Sequence, residues 1–165
     1  MSSASPSELP EPVERVAAVL RAQAVDATIE EFPDGTPSAE EAARAAGCKL
    51  EQIVKSLVLV CDGAYVLALV PGDRRVEQRK VARLLGARDA RIARADEVVE
   101  ATGFEPGGVA PFPRRDVVAA LMERTLLQHK RVWVGAGTPT HMARLAPGDL
   151  QALTGAQPAD LVARG

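Results

Sequence analysis

Apolar positions recur along this chain in two rhythms, and their alternation predicts the elements. Val13, Val16, Ala17 and Leu20 fall at i, i+3, i+4 and i+7, one face of a helix whose first turn suits Pro12. Ala27 to Phe32 reads as a short strand ended by Pro33-Asp34-Gly35. Ser38 followed by Glu41 is a capping box for an Ala-rich helix over 39–46, closed by Gly47. Two β-rich runs, Ile53 to Cys61 and Ala64 to Val70, are joined by Asp62-Gly63, a hairpin signal. Both runs are apolar on both faces, which predicts strands central in a sheet with helices over it.

Beyond Pro71-Gly72-Asp73 the pattern predicts a basic helix over about 75–85, stopped at Gly86. A short strand at Ala90–Ala93 and a helix at Asp96–Ala101, capped by Gly103, follow. Further on, Asp116–Leu121 reads as a strand, Glu123–Gln128 as a short helix and Arg131–Val134 as a strand. A Gly-rich turn at 135–139 leads into Thr140–Leu145, Pro147 opens a last helix to about Leu153, and the tail runs through Ala159–Val162. No internal repeat or domain-sized linker interrupts this order. The prediction is one α/β domain with a mixed sheet, preceded by a disordered lead-in over residues 1–10.

Composition changes this picture little. The chain has 165 residues, of which 47% are hydrophobic and only 3% aromatic, so aliphatic side chains must fill the core. No apolar run is long enough to span a membrane, and the N-terminus lacks a secretory pattern, so a cytoplasmic location is expected. Cys48 and Cys61 have neither CxxC nor metal-ligand spacing and are expected to be reduced. Charge matters more. Net charge is −2, yet Pro71 to Arg94 holds eight Lys/Arg against three acids. Such a face either holds phosphates or is an ordinary solvated helix surface.

Two features carry candidate chemistry. Thr102–Phe112 packs three glycines and two prolines. With Pro106 and Pro111 stiff and Gly107-Gly108 permissive, it is either a plain turn or a nest of backbone donors for an anion or a polarised carbonyl. Lys55 interrupts the apolar run IVKSLVLV, so its ammonium either snorkels out or meets an anionic partner. The usual nucleophiles are missing: there is no GxSxG elbow, and two histidines, His129 and His141, rule out an HExxH site. His141 follows the GAGTPT turn, where it either reaches a cleft or lies on the surface; His129 reads as solvent-facing. Neither Gly-rich stretch fits a nucleotide-binding fingerprint.

Taken in order, Ser38-x-x-Glu41-Ala42-Ala43, Gly47, Ile53–Leu57, Ala68–Asp73, Thr102-Gly103-Phe104, Gly107-Gly108-Val109, Pro111, Trp133–Gly137 and Gly148-Asp149-Leu150 carry a resemblance. Over about 25–162 the chain resembles the YbaK/ProX family of aminoacyl-tRNA deacylases, relatives of the editing domain inserted in bacterial prolyl-tRNA synthetases. The resemblance implies an α/β editing domain over 11–165, with a mixed, largely antiparallel central sheet flanked by helices. It implies a trans-editing hydrolase acting on mischarged aminoacyl-tRNA, tRNA(Pro) carrying a small non-cognate amino acid such as Ala or Cys. The resemblance admits prolyl-tRNA synthetase as a further partner, and neither cofactor nor metal is implied. Lys55, Gly107 and Gly108 would be catalytic. Phe32, Gly103, Val109, Pro111, Gly135, Gly137 and His141 would bind substrate, and Arg75, Arg79, Lys80 and Arg83 would contact the tRNA. Glu30–Pro37 departs from the Tyr-rich entry of the cysteine-specific members. The alternative is a non-catalytic module that binds the tRNA end or a nucleotide as an accessory to a synthetase.

Overall fold

A computed structural model describes residues 9–164; most of the expected lead-in lies outside the described residues. Helix α1 (Glu11–Ala22) buries Val13, Val16, Ala17 and Leu20, the face that the spacing predicts. Strand β1 (Thr28–Glu31) follows, then α2 (Ala39–Ala46). The Ser38 hydroxyl accepts from the Glu41 amide at 3.1 Å, and Gly47 closes α2 at φ +71°. Strands β2 (Val54–Cys61) and β3 (Ala64–Pro71) form the hairpin. Asp62 and Gly63 both have positive φ (50° and 85°), the conformation a tight two-residue turn demands. The Asp62 carboxylate also accepts from the amides of Arg88 and Asp89, tying the hairpin to the segment that enters β4 (Ala90–Ile92).

Helix α3 (Gln78–Leu85) starts later than its charge pattern predicts. The Glu77 side chain caps the Arg79 amide, and Val76 is held out of the helix by an antiparallel bridge to Val162. Helix α4 is Ala95–Thr102. The strand expected over 116–121 is β5 (Ala119–Glu123): the Asp116 amide is taken by Ala101, and pairing starts only where Ala119 meets Val66. A 3₁₀ turn at Arg124–Gln128 leads to β6 (Val132–Gly135), β7 (His141–Leu145) and α5 (Pro147–Thr154). The tail adds an edge strand, β8 (Gln157–Ala159), where Pro158 is tolerated for want of an outer neighbour.

The strands divide between two sheets, ordered β4-β2-β3-β5-β8 and β1-β7-β6. The larger is mixed, antiparallel across β4-β2-β3 and parallel across β3-β5-β8; the smaller is wholly antiparallel. One core lies between them, where Val54, Leu67 and Leu69 meet Val132, Val134 and Leu145 together with Val16 and Leu20 of α1. On the other face of the large sheet, Leu59, Val66, Ala68 and Val70 pack with Val81 of α3 and Leu161. The two-faced apolar strands are thus covered on both sides, as their composition requires. A third cluster seats Ala42 and Ala43 of α2 on Ile53, Trp133 and Met142, and a parallel bridge from Ile53 to Trp133 stitches the sheets together. That seam positions the site.

Candidate active site

A cavity of about 390 Å³ opens at the seam, in the size range of small-ligand sites. One wall is the start of β2, from Ile53 to Leu57; the opposite wall is Gly107, Val109, Gly135 and Thr138. His141 and Met142 of β7 line it too, and Thr36–Ala39 with Ala42 complete the rim. Lys55, Gly107, Val109, Gly135 and His141, far apart in sequence, are therefore brought together.

Lys55 is half-buried, and its Nζ donates to the Arg74 carbonyl at 2.5 Å, leaving donors over for a ligand. Burial pushes its ammonium below the usual lysine range; Asp73 and Glu40 oppose that shift and Arg75 adds to it. Lys55 is thus a desolvated cation with carboxylates and an arginine around it, a setting that rewards an incoming anion or a developing oxyanion.

The Gly-Pro loop divides its labour. The Gly108 amide donates to Glu105 at 3.0 Å, so it is spent inside a turn. Among the described residues the amides of Gly107 and Val109 donate to no protein acceptor, and both residues line the cavity. Gly107 holds φ +92°, which a side chain would strain. Gly108 is needed for close approach instead: a Cβ there would lie 2.7 Å from Thr138 Cα. At Gly135 a Cβ would lie 2.3 Å from the Val109 carbonyl oxygen, so the loop sits directly on the β6 backbone.

The other expected ligand contacts lie outside the cavity wall. Phe32 packs edge-on to Trp133, with ring centroids 5.8 Å apart, and belongs to the cluster behind Met142. Gly103 ends α4 at φ +77° and its carbonyl accepts from Arg15 at 2.9 Å. Pro111 is buried on the far side of the loop, beside Thr102 and Arg115. Gly137 presses on the start of α1, where a Cβ would meet the Pro12 carbonyl at 2.7 Å.

The basic face is less free than its composition implies. Lys80 is paired with Asp160 at 2.9 Å and donates to Val162. Arg91 holds Glu97 in a two-pronged fork, and Arg94 reaches Asp96. Among the described residues Arg75, Arg79 and Arg83 make no ion pair, and all three are exposed. Arg75, which precedes α3, also lies within the electrostatic reach of Lys55.

Sequence reasoning did not single out Thr36, Ser56, Thr138 or Met142 as lining residues. The hydroxyls of Thr138 and Thr140 flank the ring of His141, and their spacing before that histidine was the available signal.

Comparison with known proteins identifies the family and the architecture. A family model described as the aminoacyl-tRNA editing domain matches residues 34–153. A proline–tRNA ligase of Lactobacillus johnsonii is 38% identical over 85 residues, which are 52% of this chain and 15% of the ligase. The chain therefore aligns with only a small part of such ligases. YwhH of Bacillus subtilis, an uncharacterized protein, is 30% identical over 123 residues, 74% of this chain and 78% of YwhH. A solved structure described as a proposed trans-editing enzyme for prolyl-tRNA synthetase superposes with a TM-score of 0.88 and 39% identity, covering 95% of this chain and 100% of that one. The mixed α/β architecture is thus that of editing-domain structures, and the chain belongs to the aminoacyl-tRNA editing domain family.

Proposed function

We propose that the protein is a trans-editing deacylase that frees a small non-cognate amino acid from mischarged tRNA, with tRNA(Pro) as the substrate and the cytoplasm as the setting. The observation that carries this reading is that one cavity is lined by Lys55 and by Gly107 and Val109, whose amides donate to no protein acceptor among the described residues. An aminoacyl ester is already activated. Water adds to its carbonyl carbon, the ester C–O bond breaks, and the terminal ribose hydroxyl leaves with a proton. What such a reaction needs from a protein is positioning and stabilisation of the oxyanion. A single oxyanion donor is worth about 3–4 kcal/mol and orientation several more, so amides plus one desolvated ammonium suffice without a protein nucleophile.

The apolar part of the wall, made by Ala39, Ala42, Ile53 and Met142, supports selection of a small side chain by size. A methylene is worth only about 10–200-fold in such a pocket, so exclusion of the cognate amino acid must add to it. Arg75, Arg79 and Arg83 are the candidates for the phosphates of the acceptor stem, and a prolyl-tRNA synthetase is the candidate supplier of the charged tRNA. Titrating the full chain with a non-hydrolysable alanyl-adenosine analogue tests the placement. Amide shifts centred on Lys55, Gly107, Val109, Gly135 and His141 support it; shifts centred elsewhere, or none, refute it.

A further inference from the structure

The two threonines either side of Pro139 close a polar triangle on His141. Thr138 Oγ1 lies 2.7 Å and Thr140 Oγ1 3.1 Å from His141 Nδ1, and the two hydroxyl oxygens are 3.2 Å apart. The Thr140 amide donates to Thr138 Oγ1 at 3.3 Å. His141 is 7% exposed and lines the Lys55 cavity, while Thr138 and Thr140 are half-buried around it.

Counting protons in this triangle separates the two neutral forms of the ring. With Nδ1 bare, the Thr138 hydroxyl donates to it at 2.7 Å, and the Thr140 hydroxyl donates to Thr138 Oγ1 at 3.2 Å. Every donor then has an acceptor, and the ring's single lone pair is used. With Nδ1 protonated, Thr138 Oγ1 must take the ring proton as well as the Thr140 amide. One threonine proton is then left with no acceptor inside the triangle and must turn outward to water, so the bare-Nδ1 form is the one the triangle satisfies by itself. Among the described residues Nε2 has no hydrogen-bond partner, so it is the ring nitrogen left for a ligand.

We propose that Thr138 and Thr140 are positioning residues that hold His141 as its Nε2–H tautomer, so that the ring offers the cavity a hydrogen-bond donor and not a base. Lys55, the amides of Gly107 and Val109, and His141 then all present protons to the ligand. A site of that kind polarises a carbonyl and steadies an oxyanion, and the base that activates water is not this histidine. The deacylase reading enters only in naming the ligand; the tautomer belongs to the free protein.

Long-range ¹⁵N–¹H correlation spectra of the full chain, labelled at histidine, test this at a pH where the ring is neutral. With only His129 and His141 present, a His129→Gln variant assigns the signals. The expected wild-type pattern is a protonated Nε2 and a bare Nδ1. The double variant Thr138→Val, Thr140→Val keeps the branched shape and should give mixed tautomers. Its kcat for deacylation should fall about tenfold, the worth of one orienting hydrogen bond, with KM for charged tRNA nearly unchanged. Thr138→Ser combined with Thr140→Val, which returns one hydroxyl to the double variant, should restore the Nε2–H tautomer and most of the lost rate. A protonated Nδ1 in the wild type overturns the proposal, as does an unchanged tautomer in the double valine variant. If no charged tRNA is hydrolysed, the spectra still decide the tautomer, and the failure then lies with the deacylase reading alone.

Discussion

Replacing Gly135 by alanine should disable the site while leaving its side chains intact. A Cβ at that position would lie 2.3 Å from the Val109 carbonyl oxygen and 3.2 Å from its carbon. Ordinary C···O contacts begin near about 3.3 Å, so the loop carrying Gly107 and Val109 must retreat by roughly 1 Å. Neither partner is a flexible side-chain tip that can swing aside, because β6 is fixed by its ladder with β7. A misplacement of about 1 Å in groups that orient the reacting atoms costs on the order of 10²-fold in rate. Overpacking of this kind costs about 1–3 kcal/mol of stability, and each kcal/mol lowers Tm by about 2–4 °C in a chain of this size. Single-turnover deacylation and a thermal melt read the two effects separately. Gly148→Ala is the control: nothing lies within 4 Å of its added Cβ, so rate and Tm should hold or the Tm rise slightly. Wild-type rate and Tm for Gly135→Ala would refute the claim that close backbone approach sets the loop.

Three further outcomes are expected. Lys55→Met should abolish deacylation without lowering Tm at neutral pH. Lys55 has a folded pKa below its unfolded one, so the unfolded chain binds more protons between the two values; the cost of burying the charge is present below the folded pKa and vanishes above the unfolded one. A Tm several degrees below wild type would contradict this. Glu97, held down to about 2 by the Arg91 fork and the Arg94 amide, contributes stability that is full above its ordinary value of 4.5 and lost as pH falls through about 2. Glu97→Gln should therefore flatten the acid limb of a stability–pH profile over that window, and an unchanged limb would refute the assignment. Reversing charge at Arg75, Arg79 and Arg83 together should weaken tRNA binding and reduce its salt-dependence slope by about one for each phosphate no longer neutralised; an unchanged slope would remove that face from the interface.

Local signals were legible in the sequence. Asp62-Gly63 announced a tight hairpin, Ser38 and Glu41 a helix start, and Gly47, Gly86 and Gly103 helix ends, because each depends on a few neighbouring residues. Lys55 stood out because a cation inside an apolar run must find an outlet. Long-range pairing was not legible. The small sheet β1-β7-β6 rests on pairings such as Thr28 with Arg144, and its seam with the larger sheet on Ile53 with Trp133, which nothing in any of these segments announces. Within the Gly-Pro loop, the sequence could not tell that Gly108 abuts Thr138 while Gly107 and Val109 keep amides available. Lys80 looked as free as Arg79 until Asp160 came round to meet it.

The central claim is that this cavity hydrolyses the ester of a mischarged tRNA. The most direct test charges tRNA(Pro) separately with Ala, Cys, Ser and Pro and follows release of the amino acid, with Lys55→Ala alongside. One small non-cognate amino acid should be released, Pro should stay attached, and the variant should release nothing. Release of none, or release that Lys55→Ala leaves unchanged, would contradict that claim.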